Sequence, residues 1–277
     1  MKELYFGTAG VPICLKERST VLGIEKVNEL GLGCMEVEFV RGVNMKPEMA
    51  AEVKKAAQKF DVKLSAHGPY YINLNSPEKE KVGASRTRIY QTAKIAYLCG
   101  ASTITFHAAY YMKTSREKVY DVVKAQLKKI ISQLKDEGIS IWVRPETTGK
   151  ETQFGTVQEL VRLSQELDMV MPCVDFAHLH ARSVGKFNTY DEFAGVLNEL
   201  EKGLGRNALD NMHIHISGIN YGEKGEKNHL ILEESDFNYA ELMRAFKDFR
   251  IKGIVICESP NIEQDAMLMQ KTYKEMV

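Results

Sequence analysis

Short apolar runs alternate with longer stretches of helical periodicity along the whole chain. Eight runs read as strands: Leu4–Thr8, Cys34–Val40, Val62–Ala66, Ser102–Phe106, Ile139–Arg144, Met171–Val174, Met212–Ile216 and Ile254–Cys257. Between them lie amphipathic stretches such as Glu78–Cys99, Arg116–Glu137 and Val157–Leu167, and Ile262–Met276 closes the chain. Apolar runs of strand length separated by helical patterns predict parallel pairing. Eight such units within 277 residues predict a closed (β/α)8 TIM barrel rather than an open sheet. With no Ser/Pro-rich linker and no break in composition, residues 1–277 read as one domain. Ser76-Pro77-Glu78-Lys79 predicts a helix N-cap with proline at the first helical position. Gly100 and Gly138 read as helix stops, and Gly31 and Gly33 sit likewise before the second strand.

Composition narrows the function classes. Lys plus Arg and Asp plus Glu both number 37, so no global basic field advertises nucleic acid, although a local basic face is compatible with a neutral body. The five cysteines are scattered and form no CxxC, which predicts free thiols in a reducing compartment. MKELYFGTAG carries no signal-peptide apolar region, and no run approaches the ~18 apolar residues of a membrane span. A cytoplasmic protein without a membrane partner is expected, and a monomer.

The chemistry lies at the strand ends. His67 ends the third strand, His107 the fourth, Glu146 the fifth and Asp175 the sixth, with His178 three residues on. His215 ends the seventh strand and Glu258 the eighth. In a (β/α)8 barrel these ends converge at the C-terminal face. Taken singly, a strand-end histidine is more often a satisfied polar residue than a ligand. Six such positions in phase with six strands predict a metal site of nitrogen and carboxylate ligands, which suits zinc before manganese. The ligands outnumber what one tetrahedral zinc takes, so at least two ions are expected, with Glu146 as the bridge. One ion then takes His67, His107 and Glu146, and the other Glu146, Asp175, His215 and Glu258.

The string His67-Gly68-Pro69-Tyr70-Tyr71-Ile72-Asn73-Leu74, Phe106-His107, Glu146-Thr147-Thr148, Val174-Asp175 with Ala177-His178, His215-Ile216-Ser217, His229 and Glu258-Ser259-Pro260 resemble, in order, the endonuclease IV family of the xylose-isomerase-like barrels. That resemblance implies a zinc-dependent DNA repair enzyme hydrolysing the phosphodiester 5′ to an abasic site in duplex DNA, with Glu146 and Glu258 catalytic. It implies that Tyr70 inserts at the lesion and that the loop carrying Arg41 enters the minor groove. Lys113, Arg182, Lys186, Lys224 and Lys227, in loops on this face, are candidates for phosphate contacts.

The chain departs from the family pattern at the third metal. The resemblance implies His178, His229 and an aspartate two residues before His229, where Lys227 stands. Glu226 or Glu223 substitutes, or the third ion is weak or lost. The loop after Glu146 is also about one residue shorter than the pattern. His213 shares a face with His215 and reads as a deeper supporting donor. His180 reads as exposed loop, and Glu36 and Glu38 on the second strand are outside candidates for the pocket. The alternative reading is a sugar isomerase or epimerase of the same barrel superfamily, using Glu146, Asp175, His215 and Glu258 for one divalent cation.

Overall fold

The computed structural model describes residues 1–276. Eight parallel strands form one sheet: β1 (Leu4–Ala9), β2 (Cys34–Glu38), β3 (Lys63–His67), β4 (Thr103–Phe106), β5 (Trp142–Pro145), β6 (Cys173–Asp175), β7 (Met212–Ile216) and β8 (Gly253–Cys257). Their spatial order is β5-β4-β3-β2-β1-β8-β7-β6. The ring closes between β5 and β6 through bridges Val143–Val170 and Glu146–Cys173. This is the expected TIM barrel.

That seam is thin for a local reason. Val143 donates its N–H to Met169 O and Thr147 donates to Cys173 O. Pro145 stands midway between them and has no N–H to give, so one rung of the ladder is absent. The buried Arg144 guanidinium braces the gap from inside, donating to Pro172 O at 3.0 Å and Asn211 O at 2.8 Å.

Strand alternation separates two kinds of interior. Phe6, Met35, Val37, Leu64, Ile104, Val143, Ile214 and Val255 join the large apolar core shared with the helices. Inside the barrel, Cys34, Ile254 and Ile256 form only a small apolar plug against Tyr5 and Ala9. Barrel interiors are usually filled by bulky branched side chains. Here Glu36, Ser65, Thr103, Thr105, Arg144 and His213 are buried on the strands instead. The barrel is polar well below its mouth.

Most expected boundaries fall within a residue or two of the observed ones, and the exceptions share a cause. The fifth strand starts at Trp142, three residues later than Ile139. Ile139 belongs to a helix cap, with Gly138 left-handed at φ 69° and the Ile139 N–H returned to Leu134 O at 2.9 Å. The same device ends four other helices, at Gly31-Leu32, Asp61-Val62, Gly100-Ala101 and Arg250-Ile251. The apolar residue of each pair is buried and back-bonded, which is why Val62 also lies outside its strand. The helix expected to start at Pro77 runs from Lys79 to Leu98 with Glu78 at its N-cap, because Ser76 Oγ accepts from the Glu78 N–H in the preceding turn.

Two hairpins lie outside the eight-unit pattern: Gly218–Gly222 with Gly225–Leu230, and Ala109–Tyr110 with Gln153–Phe154. Among the described residues no helix is long and apolar enough to cross a membrane, and all five cysteines are free.

The repeated cap makes a paired prediction. Gly138→Val forces a β-branched residue into the left-handed region and should cost about 1–2 kcal/mol in urea denaturation. Arg250→Gly, at φ 49° with the opposite change, should be neutral or stabilising. Equal losses at both positions would refute this account of the caps.

Candidate metal centre

The barrel carries its acids and histidines to the C-terminal ends of β3 to β8. Glu146, one residue beyond β5, is fully buried at their centre and divides its two oxygens. Oε2 lies 3.2 Å from His67 Nε2 and 3.2 Å from His107 Nε2. Oε1 lies 3.1 Å from His178 Nδ1 and 3.6 Å from His215 Nδ1. On the far side His215 Nδ1 is 3.4 Å from Glu258 Oε1.

Three groups of side chains therefore each bring one nitrogen or oxygen per residue within 4.8 Å of one another: His67, His107 and Glu146; Glu146, Asp175, His215 and Glu258; and His178, Glu226 and His229. The donor chemistry suits a cation. Glu146 Oε1, Asp175 Oδ2 and His215 Nδ1 are buried without a hydrogen-bond partner, a costly state that a bound divalent ion relieves. A further grouping joins Cys173 with His213 and His215, whose Nε2 atoms both face Glu36.

Backbone carbonyls orient the rings. His67 Nδ1 donates to Gly68 O at 2.7 Å, His178 Nδ1 to Thr147 O at 3.0 Å, and His229 Nδ1 to Glu258 O at 3.1 Å. A carbonyl only accepts, so each Nδ1 carries a proton and Nε2 is the nitrogen free to ligate a cation in place of its own proton. Asp175 also has divided duties. Its Oδ1 caps the helix Phe176–Arg182 by accepting from the His178 N–H at 2.7 Å, while Oδ2 faces the cluster. Thr147 ties the two strands together, its hydroxyl accepting from the Asp175 N–H at 2.8 Å.

The third group depends on an irregularity in the hairpin. Asn220 pairs with Asn228 and Tyr221 with Glu226, so Lys227 is the extra residue of a β-bulge. The bulge shifts the alternation by one and brings Glu226 and His229, three residues apart, to the same side. Glu226 Oε2 is 3.6 Å from His178 Nε2. Lys227 is exposed, and so is Glu223, which lies in the hairpin turn outside the cluster. The hairpin docks on the loop after Glu146 through glycines: the Glu226 N–H donates to Gly149 O at 3.0 Å, and Gly225 is left-handed at φ 89°.

Burial and charge compete throughout the cluster. Burial pushes carboxyls up, and it prevails at Asp175, raised to about 6, and at Glu38, raised to about 8. At Glu258 the adjoining His215 outweighs burial and holds the carboxyl down at about 2. Glu146 is held well below the usual range by His107 and His215 despite the same penalty. His67 runs the other way: burial lowers it, but Glu146 and Glu38 bring it up to about 10. Carboxylates and histidines hold one another charged here, and a divalent cation supplies the same compensation without protons.

Other expected residues sort clearly. Tyr70 is 69% exposed at the rim, its ring 6.5 Å from that of His67. Arg41 is exposed at a cavity of about 620 Å³ between the first two strand-to-helix loops, which Glu36 and Glu38 also line. Lys113, Lys186 and Lys224 are exposed, whereas Arg182 is committed to backbone, its Nη1 donating to Thr148, Lys150 and Gln153 carbonyls.

His180 is not exposed loop. It is buried on the helix Phe176–Arg182, with Nε2 3.0 Å from Asp236, which also accepts from the Tyr221 hydroxyl at 2.5 Å. It pins the hairpin through the Tyr221–Asp236 contact, and its i+2 spacing from His178 gave no sign of this. Glu36 is wholly buried between His213 Nε2, at 2.9 Å, and His215 Nε2, at 2.8 Å. Its alternation with Glu38 on β2 was the available signal. Another concavity, at the opposite, N-terminal face, about 530 Å³ and lined by Lys2, Lys247 and Arg250, lies far from this chemistry.

The family model described as a xylose isomerase-like TIM barrel matches residues 24–275. An uncharacterized protein of Methanocaldococcus jannaschii is 46% identical over 273 residues, covering 99% of this chain and 98% of its own. A probable endonuclease 4 of Bacillus subtilis is 25% identical over 225 residues, 76% of this chain and 71% of that protein. Among solved structures, a D-tagatose 3-epimerase-like protein superposes with a TM-score of 0.73 at 18% identity, over 98% of this chain and 96% of the other. Endonuclease IV from Thermus thermophilus superposes with a TM-score of 0.72 at 19% identity, over 97% of each chain. Both share the fold, and overall shape does not separate them.

The docking of the hairpin makes its own prediction. A methyl group on Gly149 would sit 2.7 Å from Glu226 Cβ and 3.2 Å from His178 Cδ2. Gly149→Ala should therefore lift the hairpin, seen as faster amide exchange across Gly218–Leu230 with the barrel strands unchanged. Unaltered exchange there would show that the contact does not hold the hairpin down.

Proposed function

The chain belongs to the xylose isomerase-like TIM-barrel family, and we propose that it is a zinc-dependent endonuclease hydrolysing the phosphodiester 5′ to an abasic site in duplex DNA, leaving a 3′-hydroxyl. The observation that carries this reading is the division of Glu146, one oxygen toward each of two ligand groups. A shared carboxylate suits paired ions, and paired ions suit displacement at phosphorus. His67, His107 and Glu146 would hold one zinc, Glu146, Asp175, His215 and Glu258 a second, and His178, Glu226 and His229 a third. When bound, zinc supplies Lewis acidity at a phosphoryl oxygen and lowers the pKa of water for in-line attack.

The chain's own residues prepare the rest. Glu146, Asp175, Glu226 and Glu258 bring acidic groups to the mouth, and divalent cations held among them would supply the positive charge that a phosphate backbone needs. DNA binding is therefore metal-dependent in this reading, even where Arg41, Lys113, Lys186, Lys224 and Lys227 reach outlying phosphates. Tyr70 offers an exposed ring beside His67, where a gap in the base stack leaves room for an aromatic face.

The second reading, a sugar isomerase or epimerase with one divalent cation, is favoured by the completeness of the Glu146–Asp175–His215–Glu258 group on its own. It leaves His67 with His107, and His178 with Glu226 and His229, without a role.

The protein should nick duplex DNA carrying a tetrahydrofuran abasic analogue, which blocks β-elimination and so reports hydrolysis. Nicking should stop with a chelator and return with zinc, and binding should weaken as salt rises. Tyr70→Ala should cost about 1–3 kcal/mol in lesion binding with metals retained, whereas Glu258→Gln should lose a ligand and the activity. Zinc-loaded protein that leaves the analogue intact yet interconverts a ketose with its epimer would establish the second reading instead.

Metal counting addresses the third group separately. Glu226→Ala should remove one zinc per chain and leave the other two, while Lys227→Ala should leave the count unchanged. A count that falls with Lys227 and not with Glu226 would contradict the bulge geometry.

A further inference from the structure

Among the cluster histidines His215 is oriented in the opposite sense. His67, His178 and His229 each turn Nδ1 to a backbone carbonyl, although His178 Nδ1 also lies 3.1 Å from Glu146 Oε1. His215 turns Nδ1 to Glu146 and Glu258, and its Nε2 points down into the barrel, 2.8 Å from Glu36 Oε1. The other Glu36 oxygen meets His213 Nε2 at 2.9 Å, and His213 Nδ1 lies 3.4 Å from the Thr103 hydroxyl. Glu36, His213 and His215 are each buried to within 1% of full enclosure, and the four facing atoms have no hydrogen-bond partner elsewhere, so each depends on these close contacts for compensation.

We propose that Glu36 is a positioning residue: from inside the barrel it fixes His215 in the Nε2-protonated form and lends that ring negative charge, strengthening Nδ1 as a metal ligand. A carboxylate partner raises the basicity of an imidazole ligand more than a neutral carbonyl does. His215 is thus the ligand whose affinity is set from below the mouth, and His213 holds the second oxygen so that Glu36 does not rotate away. The polar barrel interior follows from this arrangement, since an apolar core leaves Glu36 no partner. The affinity part of the inference rests on the metal-centre reading above; the protonation state of His215 does not.

The test uses full-length protein labelled with ¹⁵N-histidine, with long-range ¹H–¹⁵N correlation spectra recorded metal-free and zinc-loaded, and His215 assigned by its loss in His215→Gln. The expected result is a proton on Nε2 of His215 and on Nδ1 of His67, His178 and His229. Competition against a chelating dye should then show zinc bound at least about 10-fold more weakly in Glu36→Gln with unchanged circular dichroism. Absence of the proton from Nε2 of His215 in either spectrum, or wild-type zinc affinity in folded Glu36→Gln, would overturn the inference. Should Glu36→Gln not fold, the wild-type spectrum still decides the protonation state. Absence of zinc uptake by the wild type would refute the metal reading, and the same spectrum would judge Glu36 independently.

Discussion

A carboxylate stripped of water needs positive charge or hydrogen-bond donors within a few ångströms, and the upper half of this barrel is organised around that need at Glu146. Four histidines from four different segments surround its two oxygens. The strands deliver these groups, but they tolerate one another only because each acid is answered by a base. The thin β5–β6 seam lies directly below, where Pro145 omits a rung and Arg144 braces the wall from inside. A barrel filled with branched aliphatics would be easier to close and would leave Glu36 and His213 unsupported.

The fold was legible because alternation between short apolar runs and amphipathic helices survives in the side chains. Misplaced edges came from residues serving two purposes. Ile139 and Val62 have strand chemistry, yet each completes a helix cap by returning its N–H five residues back. Local propensity does not reveal such a bond, because its acceptor lies in the preceding element. The small hairpins escaped for a related reason, as a two-residue strand such as Ala109–Tyr110 carries no periodicity to detect.

The candidate ligands were legible one strand end at a time, but their supporting contacts were not. His107, His215 and Glu258 advertise themselves by position, whereas Glu36 acts across the barrel on β7, 177 and 179 residues away in the chain. His180 looked like loop because its partner Asp236 lies 56 residues downstream. Arg182 looked like a phosphate contact because a charged side chain in a sequence does not show that backbone carbonyls have already claimed it. Where a group sits follows from secondary structure; whether it is free follows only from tertiary packing.

The bulge at Lys227 has a consequence for how such sites are recognised at all. A sequence motif counts intervals, but a hairpin counts parity: residues two apart share a face, and one inserted residue makes it three. Because Asn228 and Glu226 pair with adjacent residues across the hairpin, an acid at an odd interval from His229 does the geometric work of one at an even interval. A search written as acid, any residue, histidine passes over this chain, although its three side chains converge within 4.8 Å. Equivalent sites are thereby hidden from one another by a single step of register.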